Sequence, residues 1–384
     1  MNRKNKENKL KNLKNLKKHN KIIVSGGGTG GHVFPAIAIA DELKSRENEI
    51  EILFVGAKNR LEMEKVPQAG YNIVGLPIEG IHRKQIFQNI KVLFKLLNSL
   101  MIARNIIKEF TPDVVVGVGG YASGPVLRAA IRKGIPTLIQ EQNSYAGITN
   151  RLLSKRVSRI CVAYPGMERY FPEKKIVLTG NPVRADIRNL DSSAKIEEAL
   201  QYFKMKKDIP VLLVLGGSLG ARTINLGVTS NLIMLREKQV QVLWQCGKYY
   251  HNEAQLKLQQ SGVQNIFLKD FIARMDLAYA SANVIISRAG AITISELCHA
   301  GKPAILVPSP NVAEDHQTKN ARALVGRSAA IHISDAEAVE KMIPAALDLL
   351  ENKDRMKELS TNISGMAIEN STAKIVDEII DIMN

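Results

Sequence analysis

The sequence is poor in several features that would place it in a particular class of protein. Its 384 residues include three cysteines, Cys161, Cys246 and Cys298, which lie far apart and show no metal-binding spacing. They indicate buried free thiols in a reducing compartment. No run of about 18 apolar residues occurs, so we expect no membrane-spanning helix. Aromatic residues make up only 5% of the chain, which argues against the base-stacking platforms of nucleic-acid-binding proteins.

Positive charge is present in excess, and half of it lies at the start of the chain. The formal net charge is +16, and residues 1–21 carry nine Lys or Arg and one Glu. This low-complexity stretch has Leu10, Leu13 and Leu16 at helical spacing. Two interpretations stay open: residues 1–20 form a disordered basic extension, or they are attracted to an anionic membrane surface. No apolar segment follows the charges, so we do not expect a secretory signal.

Short apolar runs rich in Val and Ile alternate with helix-length segments, a pattern typical of buried parallel strands in a doubly wound α/β fold. The pattern pauses after about residue 181 and then restarts. We therefore predict two Rossmann-like domains, at 21–180 and 181–365, and a terminal helix at about 366–384. The predicted strands lie at residues 21–25, 50–56, 113–120, 136–140, 159–164, 211–217, 240–247, 265–271, 283–290 and 303–310.

Residues 26–31, Gly-Gly-Gly-Thr-Gly-Gly, connect the first predicted strand to a helix. They match Gly-x-Gly-x-x-Gly, but the second strand lacks the terminal acid of a dinucleotide site, and there is no P-loop lysine. We interpret the turn as one whose backbone amides approach an anion or a crowded ligand. A tight turn without a ligand is the alternative. A second turn, at 216–220, carries Ser218, which either binds phosphate or caps a helix.

Polar or aromatic side chains follow other predicted strands, at the sheet edge where open α/β folds bind ligands. Each also has a structural interpretation. Tyr121 is a ligand wall or a turn aromatic, and Glu141 and Asn143 bind ligand hydroxyls or cap their loop. Arg184 pairs with a diphosphate or is a surface arginine. Glu296 accepts hydrogen bonds from ribose hydroxyls or interacts with a helix dipole.

Seven motifs occur in an order that closely resembles one family over residues 21–384. It is the MurG family, the UDP-N-acetylglucosamine–lipid I N-acetylglucosaminyltransferases of peptidoglycan synthesis. The motifs are GGGTGGHVFPA, GGYASGP, EQNSYAGITN, GNPVR, GGSLGAR, SRAGAITISEL and EDHQTKNA.

The resemblance implies a GT-B fold, in which two Rossmann-like domains face a cleft and the last helix packs on the first domain. The first domain would bind the acceptor and the membrane, and the second would bind UDP-GlcNAc. The implied reaction moves N-acetylglucosamine to the C4 hydroxyl of undecaprenyl-pyrophosphoryl-MurNAc-pentapeptide (lipid I), with inversion, and makes lipid II. No cofactor is implied.

The resemblance also implies roles for single residues. Arg184 and Ser218 would contact phosphate, Ile272 the uracil, Glu296 the ribose and Gln317 the sugar. The acceptor side would include Gly28, Tyr121 and Glu141. The donor-binding set is Thr29, Gly30, Gly31, Asn143, Arg184, Ser218, Ile272, Ala291, Ile292, Thr293, Ile294, Ser295, Glu296 and Gln317. Two positions depart from the family pattern: Gln140 replaces a frequent His, and Thr318 replaces a frequent Gln.

Inverting transfer needs a base for the incoming hydroxyl, and histidine suits that role near neutral pH. His32, at the end of the first glycine turn, is our candidate base, and the alternative is that it only binds or orients the acceptor. The sequence contains no Asp-x-Asp motif, so we expect no metal-bridged diphosphate. Backbone amides, helix dipoles, Ser218 and Arg184 would then meet the charge of the leaving group.

The acceptor is anchored in a membrane, so we expect the protein to contact one. Apolar residues edged by Lys and Arg between 76 and 97 suit shallow insertion into anionic lipid, and an ordinary amphipathic core helix is the alternative. We expect a peripheral protein on the cytoplasmic side of the cell inner membrane, with cell-wall synthesis and division proteins as further partners. The patch comprises Ile78, Ile81, Arg83, Lys84, Ile86, Phe87, Lys91 and Phe94.

Two other functions remain open from the sequence. One is a related GT-B enzyme that acts on another lipid acceptor, such as diacylglycerol. The other is a non-catalytic protein that binds nucleotide sugars or membrane surfaces. The presence of His32, Arg184 and Glu296 argues against the second.

Overall fold

The computed structural model describes residues 20–80, 88–183, 187, 190, 193–217, 220–312 and 315–384. The chain divides into two compact units. Unit 1 comprises Met1–Val183 and Ile368–Asn384, and unit 2 comprises Arg184–Ala367. Several predictions lie outside the described residues: the extension over 1–19, the phosphate contacts Arg184 and Ser218, and Ile81, Arg83, Lys84, Ile86 and Phe87 of the membrane patch.

Unit 1 contains a parallel sheet of seven strands in the order β3-β2-β1-β4-β5-β6-β7. Its strands are β1 (Lys21–Ser25), β2 (Glu51–Ala57), β3 (Asn72–Leu76), β4 (Val114–Gly117), β5 (Thr137–Glu141), β6 (Arg159–Val162) and β7 (Ile176–Leu178). Its helices are α1 (Gly30–Arg46), α2 (Glu62–Gln68), α3 (Gln88–Phe110), α4 (Ser123–Arg132) and α5 (Ile148–Leu153), with 3₁₀ turns at Met167–Arg169 and Glu173–Lys175.

Unit 2 repeats the arrangement with six parallel strands in the order β10-β9-β8-β11-β12-β13. Its strands are β8 (Val211–Leu215), β9 (Gln241–Gln245), β10 (Ile266–Lys269), β11 (Val284–Ser287), β12 (Ala304–Leu306) and β13 (Ile331–His332). Its helices are α6 (Ser193–Phe203), α7 (Arg222–Ser230), α8 (Leu232–Glu237), α9 (His251–Ser261), α10 (Met275–Ser281), α11 (Ala291–Ala300), α12 (His316–Val325), α13 (Ala338–Glu351) and α14 (Lys353–Ser364).

The sheet of unit 1 is covered on both faces, which explains its continuous apolar strands. Ile22 and Val24 of β1 point into one hydrophobic cluster, and Ile23 points into the other. Each such buried side chain contributes about 1.5–3 kcal/mol relative to exposure. Helix α15 (Ser371–Met383) closes the first cluster with its Ile375, Val376, Ile379 and Ile380.

Ion pairs also join the C-terminal helix α15 to the rest of unit 1. Arg46 of α1 donates to Asp377 at 2.6 Å, and Arg159 of β6 contacts Glu378 at 2.8 Å. The apolar face of α15 gives these partly exposed pairs their position, because exposed pairs alone contribute only about 0–1 kcal/mol. The terminal helix is therefore a part of unit 1 although unit 2 precedes it in the chain.

The predicted fold class is confirmed: each unit is a parallel, doubly wound α/β structure. The sequence analysis did not predict β3, β7 or β13. All three are edge strands of two to five residues, and their apolar runs are too short to be told from loops. None of the helices in the described ranges is long and apolar enough to cross a membrane.

Candidate functional site

The first glycine turn lies where the strand order of unit 1 reverses, between β1 and β4. Such a switch point is where open α/β sheets bind ligands. The Gly26 amide donates to the Val55 carbonyl at the end of β2 (3.3 Å), and α1 begins at Gly30 with Thr29 as its N-cap residue. The predicted residues Gly30 and Gly31, after the N-cap Thr29, thus start a 17-residue helix. The first amides of an α-helix have no i−4 carbonyl inside it, and here those of His32 and Val33 donate to the Thr29 carbonyl, both at 3.1 Å.

Packing within unit 1 explains several glycines of this region. A side chain at Gly26 would collide with Val118, and one at Gly27 would collide with the carboxylate of Glu62. A side chain at Gly120 would meet the backbone of Gly27. Packing thus accounts for Gly26 and Gly27 without a ligand, and our interpretation that the turn's backbone approaches a ligand stays a prediction. It fits Gly28, which has a φ of +93° and no atom within 4 Å of where a Cβ would lie.

Glu62 is the principal residue of this region that the sequence analysis missed. It is the first residue of α2, and it is completely buried. Its carboxylate accepts hydrogen bonds from the Gly28 amide at 2.8 Å and from the Ala57 amide at 2.9 Å. The only sequence signal was a Glu shortly after a strand, which is common on helices.

His32, the candidate base, is partly exposed in the first turn of α1. Its Nδ1 lies 3.3 Å from the Thr29 hydroxyl. On its other side the ring packs against Gly119, where a Cβ would lie 2.7 Å from Nε2. If Nδ1 carries the proton and donates it to Thr29, the lone pair that a base needs lies on Nε2. The absence of a side chain at Gly119 leaves room at that nitrogen.

Tyr121 follows the second glycine pair of unit 1 and is 55% exposed. Its ring packs over Gly80, where a side chain would collide with the phenol. Gly119 and Gly120 precede it with φ of +98° and +84°, values that favour glycine. The Tyr121 side chain therefore packs on Gly80 with one part of its ring and leaves the rest accessible to a ligand. This agrees with its predicted place near the acceptor.

The loop after β5 is organised by Glu141, which is also buried. One carboxylate oxygen accepts from the Asn143 amide (3.1 Å), and the other accepts from the Gly147 amide (3.0 Å) and Asn150 Nδ2 (2.9 Å). Burial raises the pKa of Glu141, and these donors oppose the rise. Both oxygens are engaged within the loop, so the observed bonds correspond to the loop-capping interpretation; contact with the acceptor stays a prediction.

Gln140, which replaces a frequent His, is buried at the end of β5. It donates to Asn181 Oδ1 at 2.9 Å, and Asn181 donates to the Gln142 carbonyl at 3.0 Å. Gln142 in turn donates to the Val118 carbonyl at 3.0 Å. The substitution therefore lies in a chain of amides that ties the segment after β7 to the loops at the switch point.

The second glycine turn follows β8 at the corresponding place in unit 2. Gly216 donates to the Gln245 carbonyl at the end of β9 (2.8 Å). A Cβ at Gly220 would lie 2.5 Å from the Cys246 carbonyl, and Asn225 Nδ2 donates to the same oxygen at 2.8 Å. Asn225 also accepts from the buried Trp244 indole at 3.1 Å. Neutral amides thus hold this turn against its neighbouring strand.

Helix α11 carries most of the predicted donor residues of unit 2. Ala291, Ile292, Thr293, Ser295 and Glu296 fall in its first two turns, after the N-cap Gly290. Glu296 is partly exposed and accepts from the Tyr279 hydroxyl at 2.9 Å. Tyr279 is completely buried, and the sequence analysis did not single it out.

Ile294 is placed differently from its neighbours on α11. It is 2% exposed, and its amide donates to the Gly290 carbonyl at 2.9 Å. This position favours packing inside unit 2 over contact with a substrate.

Two further predicted donor residues follow β10 and β12: Ile272 lies in a loop, and Gln317 is the second residue of α12. The Ile272 amide donates to Gln245 Oε1 at 2.8 Å, which fixes the loop that would face the uracil. Gln317 accepts from the Ser309 amide at 2.8 Å. Thr318 is the second departure from the family pattern. Its hydroxyl donates to Asp315, the N-cap residue of α12, at 2.6 Å.

The predicted membrane patch needs one correction. Ile78 is wrong as a surface residue, because it is 6% exposed and lies in the second hydrophobic cluster of unit 1. Lys91 and Phe94 are exposed on α3. The same helix also exposes Leu93, Leu97 and Met101, each at least half accessible and spaced by one helical turn.

A cavity of about 620 Å³ beside α5 and another of about 450 Å³ beside α12 include none of the predicted site residues. The described donor-side and acceptor-side residues instead follow the carboxyl ends of strands, which is where the strand topology directs ligands. Within the part of the chain that the structure describes, no three His, Cys, Asp or Glu side chains are grouped as a metal site would require.

Comparison with known families finds two matching models along the chain. Residues 22–162 match the glycosyltransferase family 28 N-terminal domain, and residues 211–379 match the glycosyltransferase family 28 C-terminal domain. Together they include both glycine turns, both switch points and α11.

Comparison with individual proteins gives the same grouping. A Parabacteroides distasonis protein is 54% identical over 364 residues, which cover 95% of this chain and 98% of the relative. A Christiangramia forsetii protein is 53% identical, with 95% and 98% covered. Both are named UDP-N-acetylglucosamine–N-acetylmuramyl-(pentapeptide) pyrophosphoryl-undecaprenol N-acetylglucosamine transferase. The crystal structure of Acinetobacter baumannii MurG is similar at a TM-score of 0.74 and 29% identity, covering 94% of this chain and 99% of that one.

Proposed function

The chain belongs to the glycosyltransferase 28 family and, within it, to the MurG family, and we propose that it transfers N-acetylglucosamine from UDP-GlcNAc to lipid I. The product is lipid II, the disaccharide precursor of peptidoglycan. The observation that carries this proposal is the 54% identity over 95% of the chain to a relative named for that reaction.

Unit 2 is the proposed donor-binding unit. The partly exposed carboxylate of Glu296, held by Tyr279, can accept hydrogen bonds from the two ribose hydroxyls. The loop at Ile272 would contact the uracil, and Gln317 the sugar. Arg184 and Ser218 would meet the diphosphate together with the amides of the second glycine turn, where charge develops as UDP leaves.

Unit 1 is the proposed acceptor-binding unit, with His32 as the base. The C4 hydroxyl oxygen of the muramyl sugar attacks the anomeric carbon of N-acetylglucosamine, and the bond from that carbon to the diphosphate oxygen breaks. The bonding electron pair leaves with UDP, and the hydroxyl proton passes to His32 Nε2. Attack from the opposite face inverts the configuration. Neither step calls for a metal, so activity should persist in EDTA.

A membrane-facing role is proposed for α3 of unit 1. Leu93, Phe94, Leu97 and Met101 form an exposed apolar face next to Lys91, while Val92 and Ala103 face the core. An apolar stripe with a flanking cation is suited to the interface of an anionic membrane. The protein would then act as a peripheral protein on the cytoplasmic side of the inner membrane.

The function is tested with purified protein, UDP-sugar donors and a lipid I analogue, scored for UDP release and for the disaccharide product. We expect turnover with UDP-GlcNAc and the lipid I analogue. Turnover with diacylglycerol but not with lipid I would favour the other lipid acceptor. Donor binding without any turnover would favour a non-catalytic role.

A further inference from the structure

Glu62 is a buried acid with an unusual set of partners. It is 0% exposed, and its two carboxylate oxygens accept from two backbone amides, Gly28 on one side and Ala57 on the other. Among the described residues, no Lys, Arg or His forms an ion pair with it. A buried carboxylate is costly to maintain unless its hydrogen bonds are all made, so these two bonds account for its position.

The backbone around Glu62 leaves space for this carboxylate. A side chain at Gly27 would collide with its oxygens, and a Cβ at Gly56 would lie 2.5 Å from its Cγ. The Gly28 and Ala57 amides both donate, so the side chain between them must offer two hydrogen-bond acceptors. Carboxylate oxygens do so, whereas an amide side chain would turn its own donor toward one of the N–H groups.

The carboxylate joins the end of β2 to the residue that precedes the α1 N-cap. From Gly28 the chain passes directly to Thr29, whose carbonyl accepts from the amides of His32 and Val33, both at 3.1 Å. The Thr29 hydroxyl lies 3.3 Å from His32 Nδ1. A displacement of Gly28 therefore reaches both the N-cap residue and the imidazole.

We propose that Glu62 is a positioning residue for the transfer reaction: its buried carboxylate holds Gly28 and thereby fixes Thr29, a predicted donor contact, and through Thr29 the imidazole of His32. The kinetic part rests on the proposed function, in which His32 is the base. The structural part, that Glu62 orders the first glycine turn, stands independently of that function. A misplaced base costs rate even when the substrate still binds.

The test compares Glu62→Gln with Glu64→Gln, the same change two residues later on α2 at an exposed side chain. For Glu62→Gln we expect kcat to fall about ten- to hundredfold, because one amide loses a charged acceptor and meets a donor instead. The KM for UDP-GlcNAc should stay within about twofold, because the proposed donor contacts that shape it lie mostly in unit 2. Glu64→Gln should leave both constants unchanged.

Hydrogen–deuterium exchange of the peptide covering residues 26–33 gives a readout that does not need turnover. We expect exchange there to be faster by about tenfold or more in Glu62→Gln, with the peptides of unit 2 unchanged. Gly56→Ala provides a second route, since its added methyl group pushes against the Glu62 side chain without removing the charge. Gly56→Ala should accelerate hydrogen–deuterium exchange over residues 26–33 and lower kcat, as Glu62→Gln does.

The outcomes separate the two proposals. If the wild-type protein does not glycosylate lipid I, the proposed function fails, while the exchange data still decide whether Glu62 orders the turn. Unchanged exchange over 26–33 in both Glu62→Gln and Gly56→Ala would overturn the positioning role. So would a faster-exchanging turn that leaves kcat at its wild-type value.

Discussion

The two glycine turns of the protein occupy equivalent places but are held by different chemistry. Each follows the first strand of its unit, and the first glycine of each donates to a carbonyl at the end of the second strand: Gly26 to Val55 and Gly216 to Gln245. In unit 1 a buried carboxylate, Glu62, secures the turn. In unit 2 the neutral side-chain amide of Asn225 secures the turn, because it donates to the Cys246 carbonyl and accepts from the Trp244 indole.

The difference suits the ligands proposed for the two units. A turn that meets the diphosphate of the donor gains from having no acid beneath it, because like charges repel strongly where water is excluded. In the proposed function the first turn presents a histidine to the neutral C4 hydroxyl of the acceptor, and the buried acid beneath it fits the crowded-ligand interpretation of this turn better than the anion interpretation. Equivalent topology therefore sets where a loop lies, and the side chains beneath it set which charge it tolerates.

The largest effect should come from His32→Ala in unit 1. Loss of a general base lowers kcat by about 10²- to 10⁴-fold, while affinity for UDP-GlcNAc changes little. Transfer assays and donor titration measure the two separately, with His251→Ala on α9 of unit 2 as the control. Near-normal turnover would remove His32 from the mechanism and with it the assignment of the base to unit 1.

Gly119→Ala should produce the next largest effect. Its methyl group would lie 2.5 Å from His32 Cδ2, and its φ of +98° disfavours alanine. Gly134→Ala is the matched control, with φ of +71° and no atom near its Cβ position. Both variants should lose about 1–2 kcal/mol of folding stability, but only Gly119→Ala should lower kcat, by roughly tenfold or more. Equal kinetics would show that contact with Gly119 does not matter for His32.

Changes in unit 2 should alter donor binding and not the base. Glu296→Ala should raise the KM for UDP-GlcNAc about 10- to 100-fold, because hydrogen bonds to a charged group are lost. Tyr279→Phe removes only the hydroxyl that positions Glu296 and should raise KM a few-fold. Steady-state kinetics at varied donor concentration decide this. A fall in kcat at unchanged KM would contradict the division between the units.

The smallest effect concerns pH and Glu141. Its pKa is raised in the folded state by burial, so the folded protein binds this proton more tightly than the unfolded chain. Its contribution to stability is therefore fully present below the unfolded pKa and is lost as the pH rises through the folded pKa. The stability of the wild type relative to Glu141→Gln should fall over that window, by at most about 1.4 kcal/mol per pH unit. Thermal unfolding from pH 4 to 8 measures it, and parallel curves for the two proteins would contradict the raised pKa.

Much of the fold and part of the site could be predicted because the signals are local. The strands β1, β2, β4 and β5 appeared as apolar runs, and the motifs marked both turns and α11. The membrane patch was harder, because apolar residues occur both before α3 and on two sides of that helix. Only packing shows that Ile78, after β3, and Val92 of α3 are buried while Leu97 of α3 is exposed. Tyr279 gave no signal, because its role is a hydrogen bond to a residue 17 positions later.

The sequence by itself determined the class of fold, the family and the place of His32 after a glycine turn, since strand pattern and motif order are properties of short segments. Tertiary structure decided which glycines serve packing and which remain open. Gly26, Gly27 and Gly120 are adjacent to Val118, Glu62 and each other only after β1, β2 and β4 pair. The physical reason is that a Cβ is excluded by whatever lies next to it in space, and those neighbours come from segments that are up to 93 residues apart in the chain.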